Sequence, residues 1–202
     1  MDKRIHQVEF IEDKHEYWFT DEQGQHRRLY GITGAIGKLM GKSFPDTDIV
    51  KIATMYGSDV HKDVENYFNL HDHYFNDTKL STEGACWVVD TLKDFCNNIP
   101  ASIEGIECEV MVSDFEGTAS KVDVVIRSRD GRAWLFDIKT TSRFDRPYCS
   151  LQLSVYKKLF ETCYGMKVEG LYVLATKARR IFRIIEQEES KVQKILDMNK
   201  GA

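Results

Sequence analysis

Ala133-Trp134-Leu135-Phe136-Asp137-Ile138-Lys139 predicts a buried strand that ends in an acid and a base. Side chains alternate between the two faces of a strand, so Asp137 and Lys139 share one face while Ile138 points into the core. A carboxylate and an ammonium two residues apart at the end of a buried strand indicate a metal ligand beside a group that activates water. Three other acid-x-Lys triplets lack such an apolar run before them: 12–14, 77–79 and 189–191.

The composition is typical of an ordinary folded protein with one globular domain. The 202 residues are 42% apolar, which is enough for a sizeable core. Five cysteines, at positions 86, 96, 108, 149 and 163, are scattered without a C-x-x-C pair. We therefore expect reduced thiols in a cytoplasmic protein and no zinc site. The sequence has no signal peptide, and no apolar stretch approaches the ~18 residues that span a bilayer, so we expect no membrane partner.

Charge is distributed unevenly along the chain, although its net value is only −4. Residues 135–183 carry ten Lys/Arg and four Asp/Glu, which gives +6, whereas residues 1–134 carry −9 and the remaining tail carries −1. The net charge argues against a strongly basic nucleic-acid coat protein. An acidic first part and a basic final third suit a site where metal-binding carboxylates meet phosphate-binding cations, although an uneven surface alone would give the same counts.

Hydrophobic periodicity predicts strands and helices along most of the chain. The predicted strands are 8–11, 17–20, 28–32, 106–112, 120–127, 132–140, 168–175 and 181–186. The predicted helices are 33–40, 48–55, 60–68, 82–97, 148–164 and a short, charged one that closes the chain. Ser58 or Asp59 can cap the helix at 60–68, and Asp130-Gly131 is a strong hairpin signal.

The hairpin predicted at Asp130-Gly131 determines which carboxylates of the two strands lie opposite each other. A tight turn pairs positions whose numbers sum to about 261, and Asp123 and Asp137 sum to 260. A turn one residue longer, or a bulge, would make these two residues near cross-strand neighbours. Neighbouring carboxylates repel each other unless a cation lies between them, and oxygen ligands suit Mg²⁺ or Mn²⁺. On the preceding strand, Glu107 and Glu109 share one face, so either could supply a third carboxylate.

Four motifs follow one another at plausible spacings: Gly57-x-x-x-His61 on a helix, Gly117-Thr118 leading to Asp123, Asp137-Ile138-Lys139-Thr140-Thr141 on a strand, and Gln152-x-x-x-Tyr156 on the next helix. In this order they resemble the PD-(D/E)XK nuclease superfamily, specifically its RecB-like branch with many phage and mitochondrial exonucleases. The spacing from Gly117 to Asp123 is longer than in the family's G-x-x-D strand. A small hairpin that runs into residues 30–33 also resembles phage members.

The resemblance implies a restriction-endonuclease-like α/β core, with a mixed central β-sheet flanked by helices and a small N-terminal β hairpin region. It covers roughly residues 30–173 of the sequence. We accordingly expect residues 1–202 to form a single nuclease domain. Within it, residues 1–32 would be an N-terminal β appendage and residues 57–186 the catalytic core.

The resemblance also implies roles for individual residues. Asp123 and Asp137 would hold the Mg²⁺ or Mn²⁺ ion with the main-chain carbonyl of Ile138, His61 would approach it from the helix, and Glu109 would contact it directly or through water. Lys139 would orient or deprotonate the attacking water. Gln152 and Tyr156 share a helix face and would position Lys139 or a DNA phosphate. The candidates for holding the DNA backbone are Arg143, Arg146, Lys177, Arg179 and Arg180.

The expected activity is that of a metal-dependent DNA exonuclease acting on linear ends or single strands. Recombination, repair or phage DNA metabolism would be its setting, in the cytoplasm of a bacterial or phage-infected cell, with a helicase or single-strand-binding protein as a candidate partner. Two alternatives remain open, a catalytically silent DNA-binding or interaction module and a site-specific endonuclease. Each candidate residue also has a simpler interpretation when it is considered alone. His61 could be a surface histidine, Asp123 could be an ion-pair partner of Lys121, and residues 177–180 could form a solvated turn.

Overall fold

The computed structural model describes residues 2–42, 48–69 and 80–201. A three-stranded antiparallel sheet consists of β1 (Val8–Ile11), β2 (Glu16–Thr20) and β3 (His26–Leu29). A five-stranded sheet consists of β4 (Ile103–Ser113), β5 (Ala119–Ser128), β6 (Arg132–Lys139), β7 (Lys167–Ala175) and β8 (Arg180–Arg183). The α-helices are α1 (Ile32–Met40), α2 (Asp48–Asn69), α3 (Glu83–Asn98), α4 (Arg146–Tyr164) and α5 (Glu189–Lys200).

The five-stranded sheet is mixed, and its strands follow the order β4-β5-β6-β7-β8. β6 and β7 run parallel, and the other neighbouring strands run antiparallel. Helix α4 makes the crossover that a parallel pair requires. Helices cover both faces of this sheet, and the small antiparallel sheet precedes it. The predicted α/β fold class is therefore confirmed.

Two apolar clusters bury the two faces of the sheet. On one face, Val60 of α2 and Val88 of α3 share a cluster with Phe136 of β6, and all three are fully buried. On the other face, Leu153 of α4 shares a cluster with Leu135 of β6, together with residues of α1 and α5. The apolar residues of β6 thus pack into the clusters on both faces of the sheet, as predicted for a buried strand.

Helix α2 is continuous from Asp48 to Asn69, so the prediction of two short helices that separate near Gly57 is wrong. Ser58 and Asp59 lie inside the helix and do not cap it. Glycine costs a helix interior about 1 kcal/mol, but packing outweighs this propensity. A Cβ at Gly57 would lie 3.0 Å from the Oγ1 atom of Thr140, so the glycine lets α2 approach the end of β6 closely.

Two strands, β3 and β8, end earlier than predicted. β3 ends at Leu29, because extended Gly31 is the N-cap of α1 and the helix begins at Ile32. β8 ends at Arg183, and only the backbone N–H of Ile184 continues the pairing, by donating to the carbonyl of Leu171 at 2.8 Å.

The small sheet packs directly on the large one. Tyr17, Phe19 and Leu29 are buried in a cluster with Phe115 of the β4–β5 turn and Ala119 at the start of β5. After β3, a parallel bridge joins residue 30 to residue 118 of the same turn region. Among the described helices, none combines the length and the apolar character that crossing a membrane demands.

Candidate metal centre

The β5–β6 hairpin places the two predicted carboxylates at the same end of the sheet. Its pairs end with Val124 opposite Phe136, and the numbers of each pair sum to 260. Asp123 and Asp137 are the next residues beyond this last pair, so they occupy neighbouring positions on adjacent strands. The backbone N–H of Ile138 donates a hydrogen bond to the Oδ2 atom of Asp123 at 2.7 Å, which ties β5 to β6 at this point.

His61, Glu109 and Asp123 form a compact group of potential metal ligands from α2, β4 and β5. One donor atom from each residue lies within 4.8 Å of the other two, and within the described ranges no other group of three does so. The imidazole Nδ1 atom of His61 is 3.8 Å from Asp123 Oδ2 and 3.9 Å from Glu109 Oε1. Its Nε2 atom is 3.3 Å from the carbonyl oxygen of Ile138. All three side chains are partly exposed, so an ion can reach them.

Glu109 has an unusual backbone conformation, with a φ of +53°. Positive φ is uncommon for a residue other than glycine. Residues two apart on a strand normally share a face, but Cys108 packs with α2 and α3, whereas Val110 belongs to the cluster on the opposite face. The switch at Glu109 directs its carboxylate toward His61, while Glu107 pairs with Arg127 at 2.9 Å. The structure thus favours Glu109 over Glu107 as the third carboxylate.

Asp137 and Lys139 contact each other beside this group. The ammonium nitrogen of Lys139 is 2.7 Å from both carboxylate oxygens of Asp137, which is completely buried. Gln152 of α4 directs its Oε1 atom to the same ammonium at 3.5 Å and donates from Nε2 to the Tyr156 hydroxyl at 3.1 Å. The structure therefore brings these four predicted residues together, on the side of the sheet that α4 covers.

Burial and the neighbouring charges together shift the pKa values of the site residues. Burial alone would lower the pKa of His61, but the carboxylates of Asp123 and Glu109 raise it to about 9. Burial raises the pKa of Asp137 above its usual value; the ammonium of Lys139 opposes this shift and the carboxylate of Asp123 adds to it. Burial alone would lower the pKa of Lys139, but Asp137 and Asp123 raise it well above its usual value. At neutral pH, a charged imidazolium thus faces two carboxylates. It offsets their negative charge, as a bound cation would.

The donor set fits a divalent cation. Carboxylate oxygens suit Mg²⁺ and Mn²⁺, and a neutral imidazole is a common additional ligand of transition metals. In the described part of the chain, the buried Oδ2 atom of Asp137 has no hydrogen-bond partner of suitable geometry, although Lys139 is close. Buried carboxylate oxygens are normally satisfied, so an unsatisfied one beside a donor cluster is consistent with an ion site. Asp137 itself lies outside the group of three, and the carbonyl of Ile138 faces His61.

Two of the predicted DNA contacts share an aromatic surface at β8, where Phe182 pairs with Val173 and thereby lies level with Asp137, two strands across the sheet. The guanidinium of Arg146 lies 4.8 Å from the ring centroid of Phe182, and that of Arg180 lies 5.6 Å from the same ring. Phe144 stands beside this ring at a centroid distance of 5.1 Å. Arg143 is exposed in the connection between β6 and α4. Exposed arginines next to aromatic rings are suited to contact with nucleic acid.

The other two predicted cations lie on the α2 and α3 side. The ammonium of Lys177 lies over the ring of Tyr56 at 4.6 Å from the centroid. Arg179 forms an ion pair with Glu83 at the start of α3, which offsets its charge. The structure therefore divides four of the five basic candidates between two faces instead of gathering them in one patch.

Gly117 has a packing role that its place in the motif did not predict. A Cβ at this position would lie 2.7 Å from the backbone nitrogen of Lys200, so the glycine allows the end of α5 to rest on the β4–β5 turn. Asn199 reinforces this contact by donating hydrogen bonds to the Tyr30 carbonyl and the Thr118 hydroxyl, at 3.1 and 3.2 Å. The glycine serves the fold here, at a distance from the acidic group.

Two residues that precede Asp123 on β5 also approach the site: Lys121, which the sequence offered only as an ion-pair partner of Asp123, and Ser120, which it did not indicate. Lys121 places its ammonium 3.8 Å from Glu109 Oε2 and 4.3 Å from the ring centroid of Phe10 in β1. Ser120 places its hydroxyl 3.5 Å from that of Tyr156. No local pattern predicts these contacts, because the partners are distant in sequence.

Comparisons with known proteins place few constraints on this chain. No protein-family model matches the sequence, and no curated protein matches it either. The solved structures that match this one in a structural comparison include a protein from Eubacterium rectale described as a "Putative exonuclease". The two chains are 14% identical with a TM-score of 0.42, over 86% of this chain and 77% of the other. At this distance the likeness assigns neither family nor activity.

Proposed function

We propose that this protein is a metal-dependent deoxyribonuclease that degrades DNA as an exonuclease. The observation that carries the proposal is the convergence of His61, Glu109 and Asp123 beside the buried Asp137–Lys139 pair. Phosphodiester hydrolysis requires stabilisation of negative charge and an activated water, and carboxylates that hold a divalent cation, next to an ammonium, supply both. The four motifs in their order point to the same chemistry. The proposed setting is recombination, repair or phage DNA metabolism in a bacterial or phage-infected cell.

Each part of the site has a role within this proposal. The proposed ligands of Mg²⁺ or Mn²⁺ are His61, Glu109, Asp123, Asp137 and the carbonyl of Ile138. When bound, the ion supplies Lewis-acid stabilisation of the phosphate and lowers the pKa of a water molecule. Lys139 orients the attacking water and offsets the charge that develops on the phosphate oxygens. Gln152 accepts from the Lys139 ammonium and so holds it in place.

The substrate is proposed to be linear DNA with free ends or single strands. The guanidinium groups of Arg146 and Arg180 lie over the ring of Phe182 in the edge strand β8, two strands across the sheet from β6, where they can hold the sugar–phosphate backbone. Contacts to phosphates carry no sequence information, so this arrangement fits degradation better than recognition of a defined site. Lys177 and Arg143 are proposed as additional phosphate contacts.

The proposal is tested with end-labelled linear, blocked-end and covalently closed circular DNA, each with Mg²⁺, Mn²⁺ or a chelator. We expect metal-dependent loss of the linear substrate alone. Asp123→Asn and Lys139→Ala should each lower the rate by about 100-fold or more, since they remove a metal ligand and the group that orients water.

Matched controls are Asp130→Asn and Lys158→Ala, because Asp130 pairs with Arg132 and Lys158 pairs with Glu189 away from the site. Both should retain the wild-type rate, and unfolding midpoints should show that all four variants are folded. Tight DNA binding without cleavage under either metal would replace the proposal by a silent binding module. Cuts at defined positions in closed circles would identify a site-specific endonuclease.

A further inference from the structure

The side-chain amide of Asn69, the last residue of α2, is hydrogen-bonded to both backbone groups of Cys108 in β4. The Nδ2 atom of Asn69 donates to the Cys108 carbonyl at 3.2 Å, and the Cys108 N–H donates to the Oδ1 atom of Asn69 at 3.1 Å. A backbone N–H only donates and a carbonyl only accepts, so these two bonds fix which end of the amide faces which group. Asn69 thus pairs with Cys108 as a residue of a neighbouring strand would.

Cys108 requires such a partner because it lies at the edge of the sheet. Among the described strands, β4 borders only β5, so one side of its backbone faces outward. Cys108 is 6% exposed, and buried backbone groups without partners are costly. Its Sγ atom also lies 3.8 Å from the carbonyl oxygen of Val64 in α2. Helix α2 therefore holds β4 at the residue that precedes Glu109.

The bond to the Cys108 carbonyl acts directly on the backbone of Glu109. This carbonyl and the N–H of Glu109 belong to one planar peptide group, so a partner that fixes the carbonyl also fixes one side of the φ rotation of Glu109. That angle is +53°, which is uncommon for a residue other than glycine and persists where the surroundings impose it. Asn69 supplies such a constraint from outside the sheet.

Glu109 needs a constraint because its place in the sheet is electrostatically unfavourable. The pairing of β4 with β5 is in register on both sides of it, which places it directly opposite Asp123. Like charges directly opposite each other destabilise a pair of strands, so the carboxylate of Glu109 favours moving away from Asp123. A backbone held by Asn69 keeps this carboxylate beside Asp123 and His61.

We propose that Asn69 is a positioning residue, which holds the carboxylate of Glu109 at the metal site by fixing the peptide group that precedes it. The inference rests on the proposed nuclease function and deepens it, because it adds a residue outside the ligand set that controls the binding of Mg²⁺ or Mn²⁺. It also gives α2 two roles, since the same helix carries the imidazole of His61 and, about two turns later, the amide of Asn69.

The first test measures the affinity of the full chain for Mn²⁺ by isothermal titration calorimetry. We expect Asn69→Ala to weaken this affinity about tenfold, as the loss of a supporting contact around a metal site often does. Asn98→Ala is the matched control and should leave the affinity unchanged. Asn98 is likewise the last residue of its helix, α3, but its Nδ2 atom donates to the Asp94 carbonyl within the same helix at 2.7 Å.

A double-mutant cycle separates positioning from a general loss of structure. Glu109→Ala removes a proposed ligand and should weaken Mn²⁺ binding by itself. Adding Asn69→Ala to this variant should cause no further loss, because the side chain that Asn69 positions is already gone. A further tenfold loss in the double variant would overturn the inference, since Asn69 would then act on the fold as a whole. An unchanged affinity in Asn69→Ala alone would also overturn it.

Unfolding in urea without metal gives a second readout that does not depend on nuclease activity. Glu109→Gly should be more stable than Glu109→Ala while Asn69 is present, and this advantage should largely disappear when both are combined with Asn69→Ala, because the positive φ is then no longer imposed. An equal advantage with and without Asn69→Ala would overturn the inference. A wild type that binds no Mn²⁺ but shows this coupling would instead place the failure in the proposed function.

Discussion

A glutamate with a left-handed backbone lies among the candidate metal ligands. Glu109 has a φ of +53°, which costs a residue with a Cβ about 1 kcal/mol or more and persists where the surroundings impose it. Here the neighbours on both sides are anchored in cores on opposite faces of the sheet. Since strained residues concentrate at functional sites, we interpret the strain at Glu109 as a consequence of aiming its carboxylate at His61.

Replacing Glu109 tests this interpretation through stability. Glycine adopts positive φ without steric cost, so Glu109→Gly should be more stable than Glu109→Ala by about 1 kcal/mol. The measurement is the free energy of unfolding in urea, without added metal. Glu107 is the matched control, because it lies two residues earlier in β4 and its φ is not positive. There the order should reverse, with alanine more stable than glycine, and the same order at both positions would contradict the backbone argument.

The residues of the site differ in how far the sequence could reveal them. Asp137 and Lys139 follow an apolar run, and His61, Asp123 and Gln152 fall into an ordered set of motifs. The choice between Glu107 and Glu109 could not be made from the sequence, because simple alternation places both on one face, and a single backbone angle breaks that alternation. Ser120 carries no local signal, because it approaches the site through its contact with Tyr156, which is distant in sequence.

At the scale of elements, helix α2 positions His61 by two contacts along its length. Gly57 permits close approach to Thr140 at the end of β6, one turn before the histidine. Shortly after the histidine, Asp63 fixes the helix to the segment that precedes α3. Its carboxylate accepts hydrogen bonds from the backbone N–H groups of Ser81 and Thr82 at 3.0 and 2.7 Å, and from both hydroxyls. The continuity of α2 was not predictable, because a local glycine signal is outweighed by packing at a distance.

The contribution of Asp63 should depend on pH. Burial alone would raise the pKa of Asp63, but the hydrogen bonds from Ser81 and Thr82 lower it below its usual value. A carboxyl with a lowered pKa in the folded state stabilises fully above its unfolded pKa of about 4, and this contribution disappears as the pH falls through the folded pKa. We therefore expect Asp63→Asn to lose about 1–2 kcal/mol of unfolding free energy at pH 7. The deficit relative to wild type should shrink below about pH 4, where the wild-type carboxyl is also neutral.

Denaturant unfolding between pH 3 and pH 7 measures this difference. Asp90→Asn is the control, because Asp90 is an exposed carboxylate on α3, and its replacement should change the unfolding free energy by less than about 0.5 kcal/mol at every pH. A deficit for Asp63→Asn that stays constant down to pH 3 would show that the charge of Asp63 does not stabilise the contact between α2 and the start of α3.

On the scale of the whole molecule, the candidate site lies where the acidic and basic parts of the chain meet. Glu109 and Asp123 belong to residues 1–134, with a charge of −9, and Lys139, Arg146 and Arg180 belong to residues 135–183, with +6. The antiparallel β5–β6 pair brings the two parts together. The charge counts were consistent with this meeting of charges, and the periodicity predicted the sheet. The division of the basic side chains between two faces was not predictable, because it depends on contacts with residues distant in sequence, such as those of Arg146 with Phe182 and of Lys177 with Tyr56.

This arrangement predicts that a divalent cation stabilises the whole fold. An ion that binds only the folded state at 100 times its Kd adds about 2.7 kcal/mol to the unfolding free energy. We expect a gain of this size for the wild type in saturating Mn²⁺, because the ion replaces a proton on His61 between two carboxylates. Asp123→Asn should lose most of the gain, because one of the three closely spaced donors is then neutral. Asp130→Asn should retain it, because Asp130 lies at the far end of the β5–β6 hairpin and pairs with Arg132. Equal gains in all three proteins would mean that Mn²⁺ binds elsewhere, and the group formed by His61, Glu109 and Asp123 would then no longer be the candidate metal centre.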